Sequence, residues 1–383
     1  MTPLRVAMYQ PALAHYRLPV FRELAERPGL DLHVFFGRRP HLDNVEPVGF
    51  AGTPTQPRHL RVGRETFLWD SGQLACVDGR RWDVAILPWD IHYASLPVAL
   101  ATSRARGVST VLWGHGYSKH ESRSRRVLRN AVGHGADAVL LYDATTARGL
   151  VDQGFPAERV FAAPNTIDQA PIQEAAAPYR MDPVRVDDFR RCNDLPGPVL
   201  VFVSRLLENN RVDWLIAATD RLKQQIPNVR TVIVGDGPAR TALQREVTRR
   251  SLECHVRFTG AIYSEPDLAP WMCAASVFVY PTNIGLSLFH AFGYGLPVVV
   301  GDDRSRQNPE IDAFKSGHNG LTYRQGDIED LADTLERVLR NDEQRATLAR
   351  NALATATQDR TISRMVDGIE AAVRAAHSRR NSQ

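Results

Sequence analysis

Several short apolar runs in this sequence end directly on residues able to bind or move charge. Arg205 follows Val199-Leu200-Val201-Phe202-Val203 in the stretch Ser204-Arg205-Leu206. An arginine at a strand's carboxyl end suits a phosphate, because its fork of donors stays charged and matches phosphate oxygens. His115 follows Ser109-Thr110-Val111-Leu112-Trp113 and stands between Gly114 and Gly116, where the absence of side chains lets backbone approach a ligand closely. Thr282-Asn283-Ile284-Gly285-Leu286 follows Val277–Tyr280. Such a small, polar strand-to-helix turn offers N–H groups to an anion, and His290 comes one helical turn later. Gly235-Asp236-Gly237-Pro238 closes another run as a tight turn. The residues leave alternatives open: a salt bridge for Arg205, and a structural place for either histidine. No Gly-x-x-x-x-Gly-Lys occurs, and no Gly-x-Gly-x-x-Gly follows the first strand. A phosphate loop and a dinucleotide fingerprint are thereby excluded.

A different pattern occupies Ser122–Val132. Val127, Leu128, Ala131 and Val132 form one stripe of a helix, and Arg123, Arg125, Arg126 and Arg129 form the other side. Such a basic face suits solvent, acidic lipid or a phosphorylated acceptor.

Short strands alternating with helices must position these groups. Arg5–Tyr9, Leu32–Phe36, Trp82–Leu87, Ser109–Trp113 and Ala138–Tyr142 are strand-like, with helical patterns between them. The alternation stops between about Ile167 and Pro198, where Pro171, Pro178, Pro183, Pro196 and Pro198 mark an expected linker over 169–198. It restarts with Val199–Val203, Arg230–Val234, Val256–Gly260, Val277–Tyr280 and Pro297–Gly301. Helices are expected over about Trp214–Gln225, Asp327–Arg340, Asp342–Ala356 and Thr361–Ala376, ahead of a frayed tail. This is the pattern of an α/β protein with two doubly wound, Rossmann-like domains facing across a cleft. The first domain is expected over 1–168 and the second over 199–357.

A length of 383 residues agrees with two domains. The apolar share of 43% and charged share of 23% are those of a globular chain. No apolar run is long enough to span a bilayer, and the N-terminus lacks a signal-peptide pattern, so a cytoplasmic location is expected. Cys76, Cys192, Cys254 and Cys273 show no paired spacing, which argues against a zinc site or a disulfide framework. The net charge of +4 and pI near 9.0 give a mild preference for anionic partners without choosing among them.

Taken together, the motifs resemble those of the family 4 glycosyltransferases, retaining enzymes of the GT-B fold. The resemblance rests on Ser204-Arg205-Leu206, Leu215–Ala218, Val234–Pro238, Val256–Gly260 and Ala291–Val299, with Gly114–Gly116 and Pro164–Asp168 in the first half. It implies transfer of a sugar from a nucleotide-diphosphate donor, with no cofactor or metal. Polysaccharide, glycolipid or glycoconjugate assembly is the implied setting. Arg205 would hold the donor diphosphate and His115 would lie beside the donor sugar. Ile262, after Gly260, would hold the base through its backbone. Gly235 and Gly237, with Asn283, Ile284, Gly285 and Leu286, would complete the donor site. The final helix, 358–376, is expected to return to the first domain.

The sequence departs from that family where it usually has two glutamates eight positions apart, here Thr282 and His290, and where it has a lysine, here Asn210. The glycine-rich loop after the first strand is replaced by Pro11–Arg17, so His15, Tyr16 and Arg17 are expected to meet the acceptor, Arg17 through a phosphate. Pro281–Leu286 and the later Pro309-Glu310 are similar to a bacterial branch, which suggests Glu310, or Asp302 or Asp303, as the replacement carboxylate. The partners implied are a nucleotide-sugar donor and a sugar, lipid-linked or small-molecule acceptor. Peripheral association with the inner membrane face is compatible with the basic helix, and no nucleic acid is expected. An inactive sugar-nucleotide-binding module and, below it, a sugar-nucleotide epimerase are the rival readings.

Overall fold

The computed structural model describes residues 2–38, 44–63, 65–117 and 122–382. The chain divides into two units, one of Met1–Asn165 with Ile362–Gln383 and one of Thr166–Thr361.

The first unit is built from β1 (Leu4–Gln10), β2 (Leu30–Gly37), β3 (Ala51–Thr55), β4 (Arg58–Val62), β5 (Glu65–Trp69), β6 (Val84–Pro88), β7 (Ser109–Gly114), β8 (Ala138–Leu141) and β9 (Val160–Ala162). Seven of these form a parallel sheet in the order β3-β2-β1-β6-β7-β8-β9, while β4 and β5 pair as a separate antiparallel hairpin. The central strands are apolar on both faces because both faces are covered. Val6, Met8, Val84, Ile86 and Val111 pack under the helices Leu18–Ala25 and Ile362–Asn381. Ala7, Tyr9, Ala85, Leu87 and Leu112 pack under Ser95–Arg106 on the other face.

The second unit contains β10 (Val199–Val203), β11 (Arg230–Val234), β12 (Val256–Gly260), β13 (Val277–Tyr280), β14 (Val298–Gly301) and β15 (Gly320–Tyr323). They form one parallel sheet in the order β12-β11-β10-β13-β14-β15. Strand order reverses between β1 and β6 in the first sheet and between β10 and β13 in the second. Ligands of open α/β sheets bind beyond the strand carboxyl ends at such a reversal.

Three expectations change. The segment 169–198 is no extended linker: it forms helices Ala170–Met181 and Pro183–Cys192 within the second unit, with Ile172 and Ala176 buried in its core. Pro171 and Pro183 occupy first helical turns, where the missing N–H costs nothing, so they start helices there. The tail is not frayed at Ser378: the last helix runs to Asn381. Arg380 donates there to the carbonyls of Ser103 and Arg104.

The basic helix, Arg123–His134, is turned the other way from its apolar stripe. Arg129 and Gly133 are buried, while Val127 is 65% and Leu128 55% exposed. Gly133 permits this orientation, because a Cβ there would lie 2.4 Å from the Trp89 ring. No helix among the described residues is long and apolar enough to cross a membrane.

Candidate functional site

In the second unit, Ser204 and Arg205 leave β10 at the strand reversal, and Pro281–Leu286 leaves β13 beside them. The exit of β10 is held by backbone. Leu206 N–H donates to the Asp236 carbonyl at 2.9 Å, and Ala239 N–H donates to the Leu206 carbonyl at 3.1 Å. This contact needs Gly235 and Gly237, since a Cβ at the first would lie 2.0 Å from the Ser204 oxygen and one at the second 2.5 Å from the Leu206 oxygen. Arg205 itself is exposed and, among the described residues, has no carboxylate partner. An uncompensated guanidinium on a fixed loop is a ready anion contact.

The turn after β13 is clamped by side-chain amides. Asn283 adopts φ +66°, a conformation that asparagine tolerates better than most residues. Its carbonyl accepts from Asn308 Nδ2 at 3.0 Å, and its own amide reaches Asn210 Oδ1 at 3.4 Å. Asn210 in turn donates to the Arg205 carbonyl at 2.9 Å, so the two exits form one frame. Ile284 N–H donates to Gln307 Oε1 at 2.9 Å. Glu310, 8% exposed, stands beside Gly285, its Oε2 3.8 Å from where a Cβ would sit.

A carboxylate–imidazole pair borders this frame. His290 Nε2 lies 2.6 Å from Glu265 Oε1, and the Tyr294 hydroxyl donates to Glu265 Oε2 at 2.7 Å. Burial acts to raise the Glu265 pKa, but the His290 and Tyr294 hydrogen bonds outweigh it and hold the carboxyl below its ordinary range.

The first unit carries a cavity of about 360 Å³ at the carboxyl ends of β1, β6 and β7. Its walls include Tyr9, Trp89, Trp113, His115, Tyr142, Arg125 and Arg129. Tyr9 is fixed by donating to Asp70 Oδ2 at 2.5 Å, and Asp70 also accepts from the Thr55 hydroxyl at 2.8 Å. Burial, with Tyr93 and Asp70 adding to it, pushes the Tyr9 phenol up, so it stays neutral. Trp89 Nε1 donates to the Arg129 carbonyl at 3.1 Å. His115 is exposed, its ring 4.8 Å from that of Tyr142. Aromatic walls with a few polar groups are the usual composition of a small-molecule site.

Residues 197–341 match the family model described as glycosyl transferases group 1. A GDP-mannose-dependent alpha-(1-6)-phosphatidylinositol monomannoside mannosyltransferase of Mycobacterium tuberculosis is 27% identical over 263 residues, 64% of this chain and 65% of the relative. The lipopolysaccharide core biosynthesis glycosyltransferase LpsE of Rhizobium meliloti is 30% identical over 169 residues, 43% of this chain and 46% of the relative. The chain thus spans less than two thirds of the length of these curated relatives. HepE of Anabaena, solved in complex with UDP, shares the fold at 18% identity with a TM-score of 0.72, covering 96% of this chain and 98% of that one.

The chain is thus similar to family 4 glycosyltransferases, most clearly over its second unit, and has the GT-B fold of its structural neighbours.

The expected site residues fall into two groups. Arg205, Asn210, Gly235, Gly237, Ile262, Thr282, Asn283, Ile284, Gly285, Leu286, His290 and Glu310 lie in the second unit, and His15, Tyr16, Arg17 and His115 in the first. The structure gives four of these residues partners or burial that the sequence did not suggest. Asn210 is 3% exposed and ties the two exits together, because its amide is taken up by Arg205 and Asn283 rather than left to a donor. The Ile284 N–H is taken by Gln307, so it is not among the N–H groups facing a ligand. Thr282, at 5% exposure, is nearly sealed under the turn.

Arg17, expected at an acceptor phosphate, is 5% exposed; its guanidinium lies 5.1–5.2 Å from the Tyr16, Trp113 and Tyr142 rings. Its Nη1 faces Met365 Sδ at 3.7 Å. Rings that stack on a cation hold it inside. Asp302 and Asp303 have local tasks, accepting from Gln325 N–H and Ser305 N–H, which leaves Glu310 as the carboxylate at the turn. Sequence reading missed Gln307, Asn308 and Glu265. Their amides and carboxylate act through a few side-chain hydrogen bonds, which leave no periodic trace in a sequence.

Proposed function

We propose that the protein transfers a sugar from a nucleotide-diphosphate donor to a carbohydrate-bearing acceptor, with retention at the anomeric carbon and without a metal. The observation that carries this reading is Arg205, exposed and uncompensated at the strand reversal of the unit that matches the glycosyltransferase family model. Positive charge fixed where a leaving diphosphate develops charge stabilises the transition state without reorganisation. The remaining N–H groups of Gly285 and Leu286 extend that anion site, and Glu310 beside Gly285 supplies a carboxylate on the sugar side. The cavity of the first unit takes the acceptor, with His115 at its rim. The setting is assembly of a glycolipid or polysaccharide at the cytoplasmic face of a membrane.

A second reading, a donor-binding module without turnover, is favoured by the state of the two positions where the family has glutamates. Thr282 is sealed and His290 is bound to Glu265.

Thermal-shift titration with UDP, GDP, dTDP and ADP tests the donor site. A ligand at 100 times its dissociation constant adds about 2.7 kcal/mol of stability. One nucleotide is expected to raise the melting temperature of the wild type and not of Arg205→Ala. No shift with any nucleotide contradicts both readings.

A further inference from the structure

The amino ends of β7, β8 and β9 border a second cavity in the first unit, of about 610 Å³. Gly107, Asp137 and Arg159 lie just ahead of these three strands and belong to its wall. It therefore lies at the opposite end of the sheet from the aromatic cavity, and the two share no lining residue. Arg104, Arg159, Arg379 and Arg380 converge here from the end of helix Ser95–Arg106, the turn before β9 and the end of the last helix. Beside them stand His134 and, among the described residues, a single lining carboxylate, Asp137.

Three of these guanidiniums also hold helix ends. Arg159 donates through Nε to the Asp137 carbonyl at 3.3 Å and through Nη2 to the His134 carbonyl at 3.1 Å. Arg104 Nη2 donates to the Gly135 carbonyl at 3.0 Å, and Arg380 Nη2 to the Arg104 carbonyl at 2.9 Å. Cations are favoured at such carbonyl-rich ends, but a carbonyl satisfies an N–H without cancelling its charge. Arg379 holds no helix end: among the described residues its one polar partner is the exposed Glu158, at 3.9 Å. Burial and the neighbouring Arg379 hold the Arg159 guanidinium below its ordinary range, the mark of like charges brought together.

We infer that this cavity binds the phosphate group of a small soluble molecule, at a site separate from those proposed for donor and acceptor. Four guanidiniums meet two carboxylates, Asp137 in the wall and Glu158 at its edge, so positive charge is left for a dianion. A phosphate monoester carries about that charge near neutral pH. Three of the guanidiniums are already fixed by carbonyls, so they face an anion without first being ordered. The volume of about 610 Å³ is that of a small-molecule site. The wall carries no large apolar side chain that could enter a bilayer, and the His134 ring is already stacked on Phe155. A phosphate held here bridges Arg379 of the last helix to Arg159 ahead of β9, and so stabilises the first unit.

Calorimetry with inorganic phosphate and with pyrophosphate tests this. Arg205→Ala removes the proposed donor contact, and that variant is expected still to bind pyrophosphate at one site. Adding Arg379→Gln to it should weaken the binding about tenfold, and adding Arg379→Glu should abolish it. Arg379→Gln alone should keep the wild-type melting temperature without anion, and the nucleotide-induced shift. A lowered melting temperature with unchanged pyrophosphate affinity would make Arg379 a structural contact and overturn the inference. So does Arg205→Ala protein that binds neither anion. Binding to phosphatidylglycerol vesicles that depends on Arg379, with no response to either soluble anion, would assign the cavity to a lipid headgroup and overturn the soluble ligand. Absent nucleotide shifts in a protein that still binds pyrophosphate through Arg379 would overturn the donor reading and leave this site standing.

Discussion

The two units share a strand order but end their strands in unlike surroundings. At the reversal of the second sheet, the β10 and β13 exits are locked by backbone contacts at Gly235 and Gly237 and by the amides of Asn210, Gln307 and Asn308. At the reversal of the first, the strands end on rings: Tyr9, Trp89, Trp113 and Tyr142. A frame of interlocked hydrogen bonds and close backbone contacts tolerates little change, which suits a group of fixed shape such as a nucleoside diphosphate. An aromatic cavity accepts molecules with an apolar face of the right size, which suits the proposed acceptor. On the proposed reading, the frame serves the donor and the aromatic cavity the acceptor.

The sharpest way to break this contrast is to disturb the frame. Gly235→Ala places a methyl group against the Ser204 carbonyl. It should cost about 3 kcal/mol of stability, read by denaturant unfolding, and should weaken nucleotide binding with it. Unchanged stability would mean that the loops are not rigidly packed. Arg205→Ala should leave the fold intact and cost about 1.5–3 kcal/mol of nucleotide affinity by calorimetry. Equal affinity would place the diphosphate elsewhere.

Glu265→Gln tests the border of the frame. The folded carboxyl lies below its reference value of 4.5, so ionised Glu265 stabilises the protein above about that pH. The stabilisation is lost as pH falls through the depressed folded value. The variant should lose about 1–2 kcal/mol at neutral pH, and the gap from wild type should close in acid. A gap that does not change with pH would make the Glu265–His290 contact neutral. The smallest effect is expected in the first unit. Arg17→Met exchanges caged cation stacking for relief of a buried charge, and should change stability by within about 1 kcal/mol without touching nucleotide affinity.

Much of this arrangement was legible in the sequence, for identifiable reasons. Central strands such as Val199–Val203 and Val277–Tyr280 are continuous apolar runs because helices cover both faces, and such runs stand out from their neighbours. The edge elements were missed. β3, Ala-Gly-Thr-Pro-Thr, has no alternation to read, and β4 is basic and exposed. Arg205 was legible because it follows a strand directly. The role of Arg17 was not, because its cage draws Trp113 and Tyr142 from distant parts of the chain. The same holds for the clamp on the Asn283 turn, which comes from Gln307 and Asn308 after the next strand. Helix orientation also escaped: the Val127–Leu128 stripe looks inward by periodicity, and only the fit of Gly133 against Trp89 turns it out.

The central claim is that the donor is turned over, not merely held. Proton NMR of the stabilising nucleotide's sugar conjugate, followed over time with enzyme and no acceptor, measures this directly. The account predicts slow release of nucleoside diphosphate and a free sugar that first appears as the donor's own anomer, with the rate reduced about 10–100-fold in Arg205→Ala. A donor that binds tightly and stays intact, with no release above that of buffer, would contradict it and make the protein a binding module.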